Sequence, residues 1–293
     1  MASISSLFGY ILNFIYELVQ NYGIAIIIFS VLLKLILLPL SIKQQKTMKK
    51  TAKIQEKVKE LQEKYKNDQV KMNQEMMELY KKENMSPFSG CLSSILQIFI
   101  LLAIFGLVRN PLTYMKKIDN ETIEIYKTEI RQDVGENSIS TSYPEISVLK
   151  YVKNNKTSED PLYINTEFFG VDLSNVPQEN LNNPSVFVIP LLYVLTSIMS
   201  MKITTSMNNK NKKDDIIEIK NENKEEQKEM APEDMTAQMS KSMTWFMPVL
   251  SVSIALVAPL GLALYWLVNN ILMIGERLLL NKFLKSEEEE QNG

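Results

Sequence analysis

The chain has 293 residues, a formal net charge of −2 and 45% hydrophobic residues, with no histidine and one cysteine. This composition excludes an internal disulfide and a cysteine-based metal site, and it removes the commonest general base and metal ligand. Neither a phosphate-binding Walker loop nor a glycine-rich dinucleotide fingerprint occurs in the sequence, so we expect no cofactor and no enzymatic activity. The apolar residues are instead gathered into blocks, and blocks of about 18 or more are typical of membrane helices.

The first predicted element is an amphipathic helix over residues 1–22. Its apolar side chains recur at helical spacing, and polar residues such as Asn13 and Glu17 fall mostly on the opposite side. Such a helix can lie in the plane of the membrane interface, or it can be an N-terminal extension of the first span. Asn21 and Gly23 favour a break and therefore the interfacial helix. We expect neither a signal peptide nor a lipoprotein signal, because no basic region precedes the apolar residues.

The first span, residues 23–42, holds Lys34 inside an otherwise apolar run. A charge at the centre of a membrane helix costs about 2.5–3.5 kcal/mol on insertion scales. Lys34 lies about 13 Å along the helix axis from Lys43, too far for simple snorkelling. Either a water-filled cavity or a carboxylate from another span must solvate it. We expect no partner from the other four spans, which favours the cavity. Glu17 would reach Lys34 only if the fold brought it deep.

Residues 43–85 carry twelve lysines, and the positive-inside rule therefore places them in the cytoplasm. With five spans, the N-terminus is then outside and the C-terminus is cytoplasmic. Ile54, Val58 and Leu61 recur at heptad-like spacing, and Met72 and Met76 follow after a polar turn. This pattern predicts an antiparallel helical hairpin. The alternative is a solvated charged face whose methionine-rich stripe is an adaptable binding surface.

Alternating apolar and polar blocks give the remaining elements. We predict span two at 86–108, an extracellular loop at 109–185, span three at 186–203, a flexible cytoplasmic loop at 204–242, span four at 243–258, span five at 261–280 and an acidic cytoplasmic tail at 281–293. The turn signal around Pro259 and Gly261 separates the last two spans. The middle of the extracellular loop is expected to be partly disordered. The predicted fold class is all-α, a polytopic membrane protein with a five-helix transmembrane core.

Polar residues inside the spans could line one groove together with Lys34. They are Gln97 in span two, Thr196, Ser197 and Ser200 in span three, and Asn269 and Asn270 in span five. Singly, Ser and Thr in membrane helices often only pack or bond their own backbone. Spans three to five offer roughly 24–27 Å of apolar helix, less than the ~30 Å of a typical hydrocarbon core. Such short spans would thin the bilayer around them.

Six segments, in their order and spacing, carry a resemblance to a known family. They are 21–28 (NYGIAIII), 37–40 (LLPL), 87–92 (PFSGCL), 169–173 (FGVDL), 247–249 (MPV) and 259–266 (PLGLALYW). On these segments the chain resembles the YidC family of membrane-protein insertases, in the Oxa superfamily, in a short form like that of Gram-positive members. The resemblance covers nearly the whole chain apart from the two long loops.

The resemblance implies a five-helix core with a lipid-facing hydrophilic groove, open to the cytoplasm and closed on the outer side. Members insert small membrane proteins alone or assist the Sec translocon, without covalent chemistry. The implied location is the cell membrane. The implied partners are nascent membrane proteins and the lipid bilayer, with the Sec translocon, the ribosome and the signal recognition particle as further ones. No sequence-specific nucleic-acid binding is expected.

By the same resemblance, Lys34 takes the position of a groove residue that is usually arginine, and Trp266 that of a groove tryptophan. Ser200 stands where the family often has glutamine. The candidate substrate-groove residues are therefore Lys34, Gln97, Thr196, Ser197, Ser200, Trp266 and Asn269. Lysine keeps the charge of arginine but loses its planar five-donor fork. An acidic tail replaces the basic tail that some members use at the ribosome.

Two other classes of function remain open at this point. A transporter or channel could use Lys34 as a substrate or gating site, and it would be expected to show inverted repeats or discontinuous helices. The sequence shows no such internal symmetry. A purely structural membrane scaffold would leave Lys34 unexplained.

Overall fold

The computed structural model describes residues 2–66, 68–85, 89–210 and 253–292, without the side chains of 48–49, 52–53, 55–56, 59, 89–96, 204–210 and 281–292. Most of the predicted flexible loop, 204–242, and of the predicted span four, 243–258, lies outside these ranges. Residues 253–257 of that span are helical.

α-Helices dominate the described residues. They are α1 (Ala2–Val19), α2 (Tyr22–Lys64), α3 (Gln69–Lys82), α4 (Ser89–Arg109), α5 (Pro111–Tyr114), α6 (Asn120–Asp133), α7 (Pro144–Asn155), α8 (Val188–Lys210) and α9 (Leu260–Asn292). Short 3₁₀ helices cover Glu136–Ser138, Pro177–Glu179 and Pro184–Phe187, and a two-stranded antiparallel hairpin pairs β1 (Glu167–Phe168) with β2 (Val171–Asp172).

Four segments of the described residues are long and apolar enough to cross a membrane. They are Ala2–Val19, Tyr22–Thr47, Pro184–Ile203 and Leu260–Leu280, and a shorter apolar stretch, Gln97–Arg109, lies in α4. Large apolar side chains remain exposed along these helices, as a lipid-facing surface requires. The predicted all-α polytopic membrane fold is confirmed.

α2 is longer than the predicted first span. It continues without a break from the membrane segment into the lysine-rich region and ends at Lys64, with Pro39 inside it. A short turn then leads to α3, whose N-cap Asp68 accepts a hydrogen bond from the Lys71 backbone N–H at 3.0 Å. Ile54 on α2 and Met72 on α3 are buried. The first arm of the hairpin is therefore an extension of the span rather than a separate short helix, because no helix-breaking signal follows residue 42.

α1 folds back from α2 at a sharp corner. Gln20 takes a positive φ of 50°, and the Asn21 side chain caps α2 by accepting from the Ile24 backbone N–H at 3.1 Å. One face of α1 is buried, with Phe8 in edge-to-face contact with Phe29 at 5.7 Å between ring centroids. The opposite face exposes Leu7, Tyr10, Phe14 and Leu18. This apolar exposed face suits contact with lipid, and the interfacial position of the helix stays a prediction.

Residues 109–185, which are predicted to form the extracellular loop and are called the outer segment here, do not show the disorder expected for their middle. α6 and α7 pack together around buried aliphatic side chains such as Ile123, Ile130 and Leu149, and Asp119 caps α6 by accepting from the Thr122 backbone N–H at 2.8 Å. The expectation was wrong because it rested on charged composition. The aliphatic residues are dispersed at helical spacing rather than clustered, and they form a core only when the helices pair.

The outer segment is tied to the corner between α1 and α2 through the β-hairpin. The Tyr22 backbone N–H donates to the Asn165 carbonyl at 2.9 Å, and the Asn21 side chain donates to the Glu167 carbonyl at 2.8 Å. Phe168 packs so closely on Gly23 that a Cβ there would overlap its ring. The hairpin is therefore fixed at the N-terminal end of the first span.

We predict that Gly9→Ala loosens the packing of α1 on α5. A Cβ at position 9 would overlap the Tyr114 backbone carbonyl, and a backbone contact cannot be relieved by a rotamer change. Overpacking of this kind costs about 1–3 kcal/mol or more, so the apparent melting temperature in detergent should fall by several degrees. Gly275→Ala is the control, because a Cβ there meets open space. Equal melting temperatures for the two variants would contradict this packing.

A second prediction concerns Asp172 on the outer hairpin. Burial alone would raise the pKa of its carboxyl, but hydrogen bonds from Lys153, Ser174 and Thr166 outweigh burial and hold the pKa below its usual value. Lys153 Nζ lies 2.7 Å from Asp172 Oδ2. A carboxylate with a depressed pKa stabilises the fold above its unfolded-state pKa, and this contribution is lost as the pH falls through the folded-state pKa.

We therefore expect Asp172→Asn to cost about 1–3 kcal/mol at neutral pH, the usual range for a buried hydrogen bond to a charged group. The difference should shrink as the pH falls below the ordinary aspartate range. Amide hydrogen exchange in residues 120–175 of the full protein, compared between wild type and variant at each pH, measures it. A difference that does not change with pH would contradict the charge-based account.

Candidate functional site

Helix α9 packs against both α8 and α2 and runs in the same direction as each of them. Tyr193 on α8 stacks on Trp266 of α9 with ring centroids 5.7 Å apart, and four residues further along both helices Ser197 meets Asn270. Gly261 lies beside Tyr22 at the N-terminal ends of α9 and α2, and Lys34 meets Glu276 further along both helices. α9 thus meets α8 through the amide of Asn270 and meets α2 through the carboxylate of Glu276.

Lys34 is paired with Glu276. Its Nζ lies 2.5 Å from Glu276 Oε2, and the two side chains are only 20% and 8% exposed. The expectation that no carboxylate from another span would meet Lys34 is wrong. Glu276 lies within the predicted span five, near its C-terminal end. A buried pair of this geometry offsets part of the cost of placing either charge in the membrane.

Helical periodicity is the signal that could have identified Glu276. At 3.6 residues per turn, Trp266, Met273 and Glu276 lie within about 80° of one another around α9 and share one side of the helix. Asn270 lies about 120° from Glu276 and faces α8. Trp266 and Glu276 are ten residues apart, or ~15 Å along the helix. α9 therefore carries its aromatic and amide contacts on the side toward α8 and its carboxylate on the adjoining side toward α2.

Helix α8 contributes polar side chains at two positions, Ser197 and Ser200, that lie one turn apart. Asn270 Nδ2 donates to Ser197 Oγ at 2.7 Å, and one turn further along α8 Ser200 is buried. Thr196 instead donates to the Tyr193 backbone carbonyl at 2.9 Å, the local bond that is common for threonine in membrane helices. We call Lys34, Glu276, Asn270, Ser197 and Ser200 the polar seam.

The other predicted groove residues lie in different environments. Trp266 is 8% exposed and belongs to the apolar core between α8 and α9, so it packs helices rather than lining an open surface. Asn269 is half-buried on α9, and its neighbour Asn270 makes the contact with Ser197. Gln97 is exposed on α4. The structure thus pairs Lys34 with Glu276, which the prediction lacked, and pairs Ser197 with Asn270, which the prediction named as a polar residue of span five but not as a candidate groove residue.

The seam has the chemistry of recognition rather than of bond making. It offers one ion pair, an amide, and hydroxyl groups, all set among apolar side chains. Among the described residues no group of three or more His, Cys, Asp or Glu side chains could hold a metal ion. A polar strip inside a membrane helix bundle can accept polar or charged chain that lipid would reject.

Comparison with known proteins places these helices in a family. Residues 14–288 match the model of the 60Kd inner membrane protein family. Proteins named "Membrane protein insertase YidC" from Caldanaerobacter subterraneus subsp. tengcongensis, Pelobacter propionicus and Treponema denticola are 38%, 29% and 24% identical over 109, 279 and 285 residues.

These alignments cover 37%, 94% and 97% of this chain but only 53%, 38% and 38% of the relatives. The chain thus spans about two-fifths to one-half of the curated relatives it matches. Because the family model takes in all of the helices that form the polar seam, the chain belongs to the 60Kd inner membrane protein family, which includes the YidC insertases.

Proposed function

We propose that this protein inserts nascent membrane proteins into the cell membrane, with the polar seam as the place where polar chain enters. The observation that carries the proposal is the Lys34–Glu276 pair, a buried pair of charges between two apolar helices of a family whose relatives are named insertases. Such a pair can act in insertion if a charged group of the client replaces one of the two partners.

The proposed path runs along α8 and α9. A hydrophobic client segment slides against their exposed apolar side chains, such as Leu195 and Met199 on α8 and Ile271 on α9. Its polar or acidic flank is held at the cationic side chain of Lys34 and is then released outward. At an effective dielectric near 20, two unit charges ~4 Å apart attract by about 4 kcal/mol. An attraction of this size is strong enough to bind the acidic flanking region of the client and weak enough to allow its release.

The proposed orientation has the seam open to the cytoplasm. Lysines are dense just after the first span, in the extended part of α2 and in α3, and the positive-inside rule assigns this region to the cytoplasm. The hairpin of α2 and α3 would then meet the ribosome, a targeting factor or the arriving chain. The Sec translocon and the signal recognition particle are proposed as further partners on the family resemblance alone.

The test is an insertion assay in proteoliposomes with a single-span client that carries an acidic flank, alongside the same client with a neutral flank. The Lys34→Arg variant should insert both clients as wild type does, because it keeps the charge. The double variant Lys34→Gln with Glu276→Gln should insert the acidic client several-fold more slowly. The double change replaces the ion pair with two polar amides and leaves no unpaired buried charge, which would destabilise the fold. A slower rate therefore reports lost recruitment rather than misfolding.

The outcome for the neutral client makes the test specific. We expect the double variant to insert it at the wild-type rate, because no charge is being recruited. If the double variant inserts both clients at wild-type rates, the recruitment mechanism is contradicted. If the wild-type protein inserts no more client than vesicles without protein do, the proposed function itself is contradicted.

A further inference from the structure

Glu276 already binds the Lys34 ammonium group, which the proposed mechanism needs free for the client. Its Oε2 holds Lys34 at 2.5 Å. A client carboxylate that arrives at Lys34 must therefore displace the resident carboxylate or share the lysine with it. We propose that Glu276 is a specificity-determining counterion, which a client must outcompete; this inference rests on the proposed insertase function.

The pair is built so that displacement is possible. Glu276 Oε1 is buried and has no hydrogen-bond partner among the described residues, so half of the carboxylate is not satisfied by the closed pair. A buried charge pair without its full set of hydrogen bonds is less stable than its short distance suggests. The Lys34 side chain keeps 20% exposure while that of Glu276 keeps 8%, so the lysine is the partner that an incoming group can reach.

The consequence is selection among clients by charge. If Glu276 holds Lys34 about 90% of the time, the apparent affinity for an acidic flank is lowered about tenfold. Weakly acidic flanks would then fail to open the pair, and strongly acidic flanks would succeed. A neutral flank does not compete for Lys34, so Glu276 should not affect its insertion.

Insertion kinetics of Glu276→Gln test the proposal. At subsaturating client concentrations, we expect the insertion rate of the acidic-flank client to rise about three- to tenfold. The upper limit is about tenfold if Lys34 is free of Glu276 about a tenth of the time in the wild-type protein. The neutral-flank client should be inserted at the wild-type rate. Glu276→Asp shortens the side chain by one methylene and should give an intermediate rise, which keeps the test valid if the glutamine variant folds poorly.

Glu17→Gln is the matched control, because Glu17 makes an exposed pair with Lys116 at 3.0 Å, remote from the seam. It should leave both clients unchanged. An unchanged or slower acidic-client rate in Glu276→Gln and Glu276→Asp, while wild type inserts normally, would overturn the counterion role and leave the insertase function standing. Failure of wild type to insert either client would instead overturn the proposed function.

A separate observation concerns the tip of the β-hairpin. Phe169 is 92% exposed and takes a positive φ of 49°, a backbone region that is unfavourable for an aromatic residue. Its neighbour Phe168 is held against Gly23 at the start of the first span. The tip thus presents a large apolar ring at the outer end of a membrane helix, where aromatic side chains are enriched in membrane proteins.

We infer that Phe169 inserts into the outer leaflet and anchors the outer segment to lipid. The lipid-facing surface continues up to the hairpin, because Leu18 and Ile24, on either side of the corner it is tied to, are exposed apolar residues. The ring contacts Phe168 edge to face at 4.7 Å between centroids but is otherwise open, and lipid chains at this depth would cover the apolar surface that water leaves exposed.

A nitroxide label at position 169 tests the anchor in proteoliposomes. Phe169→Cys in a Cys91→Ser background gives a single labelling site, since Cys91 is the one cysteine of the chain. We expect the label to be more accessible to oxygen than to a water-soluble nickel complex. Ile125→Cys is the control, because Ile125 is exposed on α6 beside Glu121 and Glu124. Equal nickel accessibility at 169 and 125 would overturn the anchor.

Discussion

Replacing Lys34 with methionine is expected to destabilise the helix bundle by about 3–5 kcal/mol, the cost of breaking a buried ion pair from one side. The reason is that Glu276, with a side chain 8% exposed, would be left as a buried charge without its cation. At about 2–4 °C per kcal/mol, the apparent melting temperature in detergent should fall by roughly 6 °C or more.

The double variant Lys34→Met with Glu276→Met is the decisive comparison. It removes both charges and fills the space with apolar side chains, an exchange that is often neutral or stabilising for buried pairs. It should therefore recover most of the stability lost in the single variant. If the single and double variants melt at the same temperature, the contact between Lys34 and Glu276 does not exist in the membrane protein.

Replacing Trp266 with alanine is expected to cost about 3 kcal/mol, near the lower end of the range for a buried tryptophan. The ring is 8% exposed and stacks on Tyr193 between α8 and α9. In a membrane the loss comes chiefly from the void left behind, because lipid is as apolar as the helix interface. The unfolding midpoint of the purified protein measures it.

Trp266→Phe should keep most of the packing and most of the stability. Ile271→Ala, on an exposed position of the same helix, should have an effect of less than about 1 kcal/mol and serves as the control for truncation as such. If Trp266→Ala melts with wild type but slows insertion, the ring is a client-contacting residue rather than a packing residue.

The sequence predicts the membrane helices well because long apolar runs have few alternatives to spanning a bilayer. The blocks around Lys34, Ser197 and Trp266 correspond to α2, α8 and α9. The cost of a charge inside an apolar run predicts Lys34 as a key residue, and the structure places it at the contact of α2 with α9. The sequence identifies single polar residues such as Ser200 but does not pair them, because packing sets the rotation of each helix about its axis.

Two features could not be obtained from composition and block boundaries. Glu276 lies close to the polar end of its span, so that only its helical register with Trp266 shows that it faces neighbouring helices. The outer segment lacks a dense apolar run, and its core forms from dispersed residues such as Ile123 and Leu149 that meet through tertiary contacts. In both cases the missing information is the packing of one helix on another.

Photo-crosslinking to a ribosome-stalled single-span client tests the central claim most directly. Probes would replace Met199 on α8 and Ile271 on α9, both exposed beside the polar seam, with Phe14 on the exposed face of α1 as the control. We predict strong crosslinks to the client from positions 199 and 271 and weak ones from position 14. Crosslinks of equal strength from all three positions, or none from α8 and α9, would contradict a client path along the seam.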